Sequence, residues 1–194
     1  MKSTLLFVAL LTLSLAGTQA FAQDAGDIGL FFDAGGTQTT GPVLPSLPFH
    51  LYVVAFDVPG GIAGYEGSLA FPATITLLSA TFQPPGAINV GTPDNWAVGT
   101  GMCLPAVGPT LLIDFFFLPI VTGDDLIFTI GPGFPSSFDP PAIGYADCDF
   151  VLHTFGVAVS GGGYPDNSAV GNPTFIPPVA TEQENWGAVK ALFR

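Results

Sequence analysis

Lysine and arginine are almost missing from this chain. The three that exist are Lys2, Lys190 and Arg194, so the whole stretch between Lys2 and Lys190 has neither, while fifteen Asp and Glu residues are spread through it. Phosphate, nucleic acid and anionic membrane surfaces are gripped mainly by Lys and Arg, through charge neutralisation and forked hydrogen bonds. A body without them is excluded as a binder of any of the three. Other signatures are missing too. There is no G-x-S-x-G, and Ser160 stands before the turn-like tract Gly161-Gly162-Gly163, which lacks the following helix and the lysine of a phosphate loop. Neither H-E-x-x-H nor C-x-x-C occurs, and no repeat of fixed period is present. The two histidines, His50 and His153, lie within apolar strands, where a hydrogen-bonded imidazole is the expected role. The chain reads as a protein that is not an enzyme.

What is present begins with a leader. Lys2, an apolar run over 5–15 and Ala20-Phe21-Ala22 match a secretory signal peptide of residues 1–22, the run being about eleven residues where a membrane span takes about twenty. Cleavage removes Lys2, so the formal net charge of −12 becomes −13, and no integral membrane span remains in the mature chain. The protein is expected to be secreted, extracellular or at the cell surface, with the periplasm as the other compartment. Such acidity favours solubility and divalent cations. Cys103 and Cys148 are the only cysteines, and in an exported chain they read as one structural disulfide. The alternative pairs Cys148 with His153 as metal ligands, without a convincing four-ligand set.

Twenty-five glycines and nineteen prolines fall in clusters between short apolar runs, which punctuates strands. The candidate strands are 28–33, 49–57, 66–71, 74–82, 96–100, 110–118, 125–130 and 150–160, rich in Val, Ile, Phe, Thr and Leu. The expected fold is all-β, a single β-sandwich over residues 23–176. Two runs, around Val53 and around Phe116, are apolar on both faces, which calls for a second buried surface or self-association. Val157 and Val159, alternating with Ala158 and Ser160, read as a half-exposed strand. Residues 177–194 form a Pro-Pro spacer and an amphipathic helix: Thr181 and Glu184 make a capping box, and Trp186, Val189, Leu192 and Phe193 share one face. That face either docks on its own domain or serves as a docking or sorting tag.

Three kinds of site are open to residues of these types. Calcium is the one cofactor the loop acids suit, with Asp124, Asp125, Asp147 and Asp149 as candidate ligands, although Asp also makes turns through its own side chain. A carbohydrate platform would use the loop aromatics Tyr65, Trp96, Tyr145 and Tyr164. Paired carboxylates for glycoside hydrolysis would draw on Glu66 and Asp114, whose apolar neighbours could raise a pKa; Glu66 otherwise accepts loop hydrogen bonds, and Asp114 points outward from its strand.

The strand Tyr52-Val53-Val54-Ala55-Phe56, the turn Pro59-Gly60-Gly61 and the strand Tyr65-Glu66-Gly67-Ser68-Leu69-Ala70-Phe71, followed by a third strand at 74–82, resemble the cohesin-like family of secreted bacterial jelly-roll sandwiches, a fold shared with some carbohydrate-binding modules. That resemblance implies a non-enzymatic module that holds a partner on a sheet face, in the best-known cases a calcium-binding dockerin. The chain departs from that pattern in carrying Cys103 and Cys148 and in standing as a single module. Its end, Trp186-Gly187-Ala188-Val189-Lys190-Ala191-Leu192, is similar to that of other exported bacterial proteins. The leading expectation is a binding or structural module whose partner is an extracellular protein, with polysaccharide binding assisted by calcium as the alternative and a glycoside hydrolase as a distant third.

Overall fold

In a computed structural model of the chain, residues 24–120, 126–158 and 168–172 are described. The leader 1–22, the helix expected over 181–194 with Trp186, Val189, Leu192 and Phe193, and the candidates Asp124, Asp125 and Tyr164 lie outside them. The described residues form strands and loops without a helix.

Thirteen strands follow in order: β1 (Asp27–Phe31), β2 (Thr40–Pro42), β3 (Phe49–Phe56), β4 (Ile62–Ala70), β5 (Ile75–Phe82), β6 (Ile88–Asn89), β7 (Asn95–Leu104), β8 (Pro109–Pro119), β9 (Leu126–Gly131), β10 (Gly144–Ala146), β11 (Leu152–Thr154), β12 (Gly156–Val157) and β13 (Ser168–Asn172). One sheet has the order β12-β1-β3-β8-β5. The other runs β11-β10-β4-β9-β13-β2, with β7 on the far side of β4 and β6 beyond β7. Most pairs are antiparallel; β1 with β12 and β13 with β2 are parallel. Strand β4 organises the second sheet. Its Ile62 to Ser68 side meets β7, and its other side meets β10 at Gly64 to Glu66 and β9 at Ser68 to Ala70.

Side chains alternate across each strand, so one set from each sheet meets in the middle. Leu51, Val53 and Ala55 of β3 and Ile113, Phe115 and Phe117 of β8 face Tyr65 and Leu69 of β4, Trp96 and Val98 of β7, and Phe128 and Ile130 of β9. The rings form a connected series: Trp96 lies 5.8 Å from Phe115, and Phe117 lies 5.5 Å from both Phe49 and Phe128. Each buried side chain of this size contributes about 2 kcal/mol by leaving water. Tyr65 crosses the layer, donating from its hydroxyl to the Leu112 carbonyl at 2.8 Å, and burial pushes its phenol pKa well above the ordinary value.

The doubly apolar run of β3 has a second covered face. Val54 and Phe56 point away from the core and are buried with Phe31 and Ala158. The loop that follows β1 folds over them. Asp33 ties it by accepting from the Thr37 and Gln38 N–H groups at 2.9 and 2.6 Å, and Gly36, at φ +70°, rests on the Phe56 ring where a Cβ would overlap it.

Two expectations need correction. The run 150–160 is not one strand: β11 joins the second sheet through β10, and after the buried Phe155 the chain crosses to the first sheet as β12. Within it the alternation is inverted, because Ala158 is buried against Gly29 while Val157 is turned outward. Strands β2, β6, β10 and β13 lie outside the candidate strands; three of them have three residues or fewer, too short to show periodicity.

Cys103 and Cys148 are joined, with Cα atoms 5.3 Å apart and a sequence separation of 45. The bond links the end of β7 to the turn after β10, and Gly61 makes room for it. Gly61 has φ +73°, and a Cβ there would stand 2.8 Å from one sulfur and 3.1 Å from the other. Cys148 is therefore not a metal ligand with His153. Replacing both cysteines by alanine is expected to lower unfolding free energy by up to about 4 kcal/mol, read from urea denaturation with and without reductant. Tyr65→Phe, which leaves the Leu112 carbonyl without that donor, should cost about 1–2 kcal/mol in the same assay.

Candidate functional site

The outer face of the β7-β4-β10 region carries a shallow groove of about 160 Å³. Its position follows from alternation. Tyr65 and Tyr145, paired across β4 and β10, point into the core, so their neighbours Gly64 and Glu66 on β4 and Gly144 and Ala146 on β10 point out. Ala97 of β7 continues this floor. A floor of Gly and Ala leaves the sheet backbone open to close approach by another molecule. The walls are apolar: Phe138 lies over Gly144, and the exposed Leu152 of β11 stands opposite.

The polar groups around the groove are committed to holding loops. One Glu66 carboxylate oxygen accepts from the Ser136 hydroxyl at 3.0 Å and the Ser137 N–H at 2.8 Å, which secures the segment that carries Phe138. Asn95 holds the same segment, bonding Phe134 through both its amide nitrogen and its oxygen. On the other side Asp147 closes a turn. Its Oδ1 accepts from the N–H groups of Asp149 and Val151 at 2.9 Å each, and Oδ2 lies 2.8 Å from His153 Nε2. The His153 ring stacks on Tyr145 at 5.2 Å, so the turn is braced against the strand beneath it. The Val151 N–H first, and then His153, hold the Asp147 carboxyl below its ordinary pKa of 3.8. Within this turn Phe150 adopts φ +62° and projects into solvent beside the disulfide.

The remaining candidates fall elsewhere. Tyr65, Trp96 and Tyr145 are 3%, 1% and 5% exposed, so they form no solvent-facing row for sugar rings; their strands turn them inward, which corrects the expected platform. Asp147 spends its lone pairs on backbone and His153, and Asp149 is exposed beside it. Among the described residues no three His, Cys, Asp or Glu side chains form a group able to hold a metal ion. Asp114 bonds His50 at 2.6 Å on the outer face of the first sheet, where His50 packs on Phe116. Glu66 lies on the outer face of the second sheet. The whole core separates these two acids, whereas glycoside hydrolysis needs its carboxyl groups within about 5–9.5 Å.

No protein-family model matches the chain, and comparison with curated proteins finds no match. Solved structures do match. A cohesin module from a Clostridium perfringens family 33 glycoside hydrolase superposes with a TM-score of 0.53 at 9% identity, covering 77% of this chain and 97% of that one. The fold is cohesin-like. The sixth cohesin of scaffoldin B from Acetivibrio cellulolyticus, solved with a variant Cel5 dockerin, gives a TM-score of 0.50 at 9% identity over 75% of this chain and 97% of its own.

Within this cohesin-like sandwich Glu66 was legible as a loop acceptor, but Gly64, Ala97, Phe138, Gly144, Ala146 and Leu152 were not singled out. The signal lay in the alternation of small residues with tyrosine, Gly64-Tyr65-Glu66 and Gly144-Tyr145-Ala146. Because the Asp147 pKa is lowered on folding, its stabilising share is complete above pH 3.8 and is lost as pH falls through the lower folded-state value. Asp147→Asn should therefore flatten the acid limb of a melting-temperature profile below pH 3.8, measured by circular dichroism.

Proposed function

We propose that this protein is a secreted, non-enzymatic binding module that holds an extracellular protein partner on the outer face of its second sheet. The observation that carries the reading is the Gly and Ala floor between Phe138 and Leu152, framed by loops that Glu66, Asn95 and Asp147 hold in place. A floor without side-chain bulk accepts a partner's helix or strand at close range, and preorganised rims lower the ordering cost of binding. Among the described residues the polar groups around the groove, Glu66, Asn95 and the Asp147–His153 pair, hold loops. Acids spread through the chain suit a partner with basic residues at its rim, which would speed encounter. The cohesin of scaffoldin B, with the same fold, was solved holding a dockerin, which supports the kind of function without naming the partner of this chain. Secretion and surface location rest on the leader 1–22, and the tail 177–194 is assigned to docking or anchoring.

The test is capture of partners from the extracellular fraction by the intact mature protein and by two face variants. Ala97→Arg fills the floor, and Leu152→Asp changes one wall. Each should weaken capture at least about tenfold, roughly 1.4 kcal/mol, with an unchanged melting temperature. Capture that survives both substitutions places the interface elsewhere. Turnover of a glycoside, lost in Glu66→Gln, would replace the reading altogether.

A further inference from the structure

No ionisable side chain lies between Glu66 and Asp94. That segment forms β5 and β6, and the structure places both at sheet edges. β5 ends the first sheet, and β6 pairs only with β7. The short connection 83–87 joins the two strands, so both edges open on the same flank of the sandwich. Most other edges here are brief: β2 and β11 have three residues, β6 and β12 two. β5 has eight, with neither proline nor charge, the two commonest guards against strand pairing. One guard is present, a bulge between Leu77 and Ser79 that leaves Leu78 unpaired.

The backbone of β5 is available for pairing. Gln83 N–H donates to the Leu112 carbonyl at 2.8 Å, toward β8. By alternation Thr81 faces β8 as well, and the N–H and C=O groups of Ala80 and Phe82 turn away from it. Among the described residues β5 pairs with β8 alone, and no loop or turn backbone bonds to these groups. Around this edge stand Leu78, Ile88 and Val90, which are 47%, 68% and 82% exposed. Two acids border the flank. Asp94 sits at the β6–β7 turn and accepts from the Thr92 hydroxyl, and Asp114 sits opposite Thr81 on β8 and bonds His50.

We infer that this flank joins two copies of the chain, β5 against β5 about a two-fold axis. Charge selects the occupant. A molecule of formal net charge −12 repels its own kind, and the flank without ionisable groups is where two copies approach at least electrostatic cost. A basic partner would be drawn to acids elsewhere. Antiparallel β5 strands exchange hydrogen bonds at Ala80 and Phe82, the two first sheets merge, and the flanks that carry Leu78, Ile88 and Val90 come together. The contact is isologous, so it closes at a dimer. It leaves the groove of the second sheet free and stands independently of the function proposed for that groove.

Sedimentation equilibrium on the full mature chain, from about 1 μM to 1 mM, tests this. A dimer is expected, and raising salt from about 0.05 to 0.5 M should tighten it, because screening removes self-repulsion. Leu78→Glu and Val90→Glu, both at exposed sites, should each weaken the dimer at least tenfold without lowering the melting temperature. Ala80→Pro, which deletes an outward N–H while sparing the ladder to β8, should do the same. Ile127→Glu, on β9 with β4 and β7 between it and the flank, should leave the dimer intact. A monomer at every concentration, a dimer loosened by salt, or equal weakening by Ile127→Glu would overturn the inference.

Discussion

The aromatic layer between the two sheets is the constraint on which the remaining features rest. Trp96, Phe115, Phe117 and Phe128 are fully buried and linked ring to ring in series, so the faces that β7, β8 and β9 turn toward the core are fixed. Shifting a strand by one residue would carry its rings to solvent and its polar residues inward. With Trp96 pointing in, Ala97 must point out; with Tyr65 and Tyr145 pointing in, Glu66 and Ala146 must point out. The groove is thus a consequence of core packing. Its floor is small because the large residues of those strands are spent on the interior.

The same alternation separates the acids. Asp114 follows the buried Ile113 and precedes the buried Phe115, and Glu66 follows the buried Tyr65, so each is turned outward from its own sheet and they end on opposite surfaces. Each then finds local donors, His50 for Asp114 and Ser136 with Ser137 for Glu66. Asp147 and Asp33 do likewise in their turns. In a body without lysine or arginine among the described residues, carboxylates are held by backbone N–H groups, hydroxyls and imidazoles. Their work is mostly to fix loops, and those loops in turn shape the groove and cover the outer cluster around Phe56.

Much of the architecture was legible because it is local. The strands at 49–57, 74–82 and 110–118 lie within a residue of β3, β5 and β8, since runs of Val, Ile, Leu and Phe bounded by Gly and Pro announce themselves over a few residues. The two cysteines had only each other. Aromatic orientation was less legible. Tyr65, Trp96 and Tyr145 are surrounded by Gly, Asn and Asp, which resembles a loop, and only the pairing of β4 with β7 and β10 shows them to be core residues.

From the sequence by itself came strand character, the pairing partner of each cysteine by number alone, and the expectation that anionic ligands are disfavoured; these depend on composition and on neighbours along the chain. Tertiary structure decided the sheet each strand enters, as when Leu152 to Thr154 and Gly156 to Val157 part to opposite sheets across Phe155. It also decided which apolar surfaces are covered: Val54 and Phe56 lie under a loop, whereas among the described residues Leu78, Ile88 and Val90 are exposed. The physical reason is that burial is shared between residues far apart in the chain. Alternation tells that a strand has two faces, and only the partner across the core determines which of them meets water.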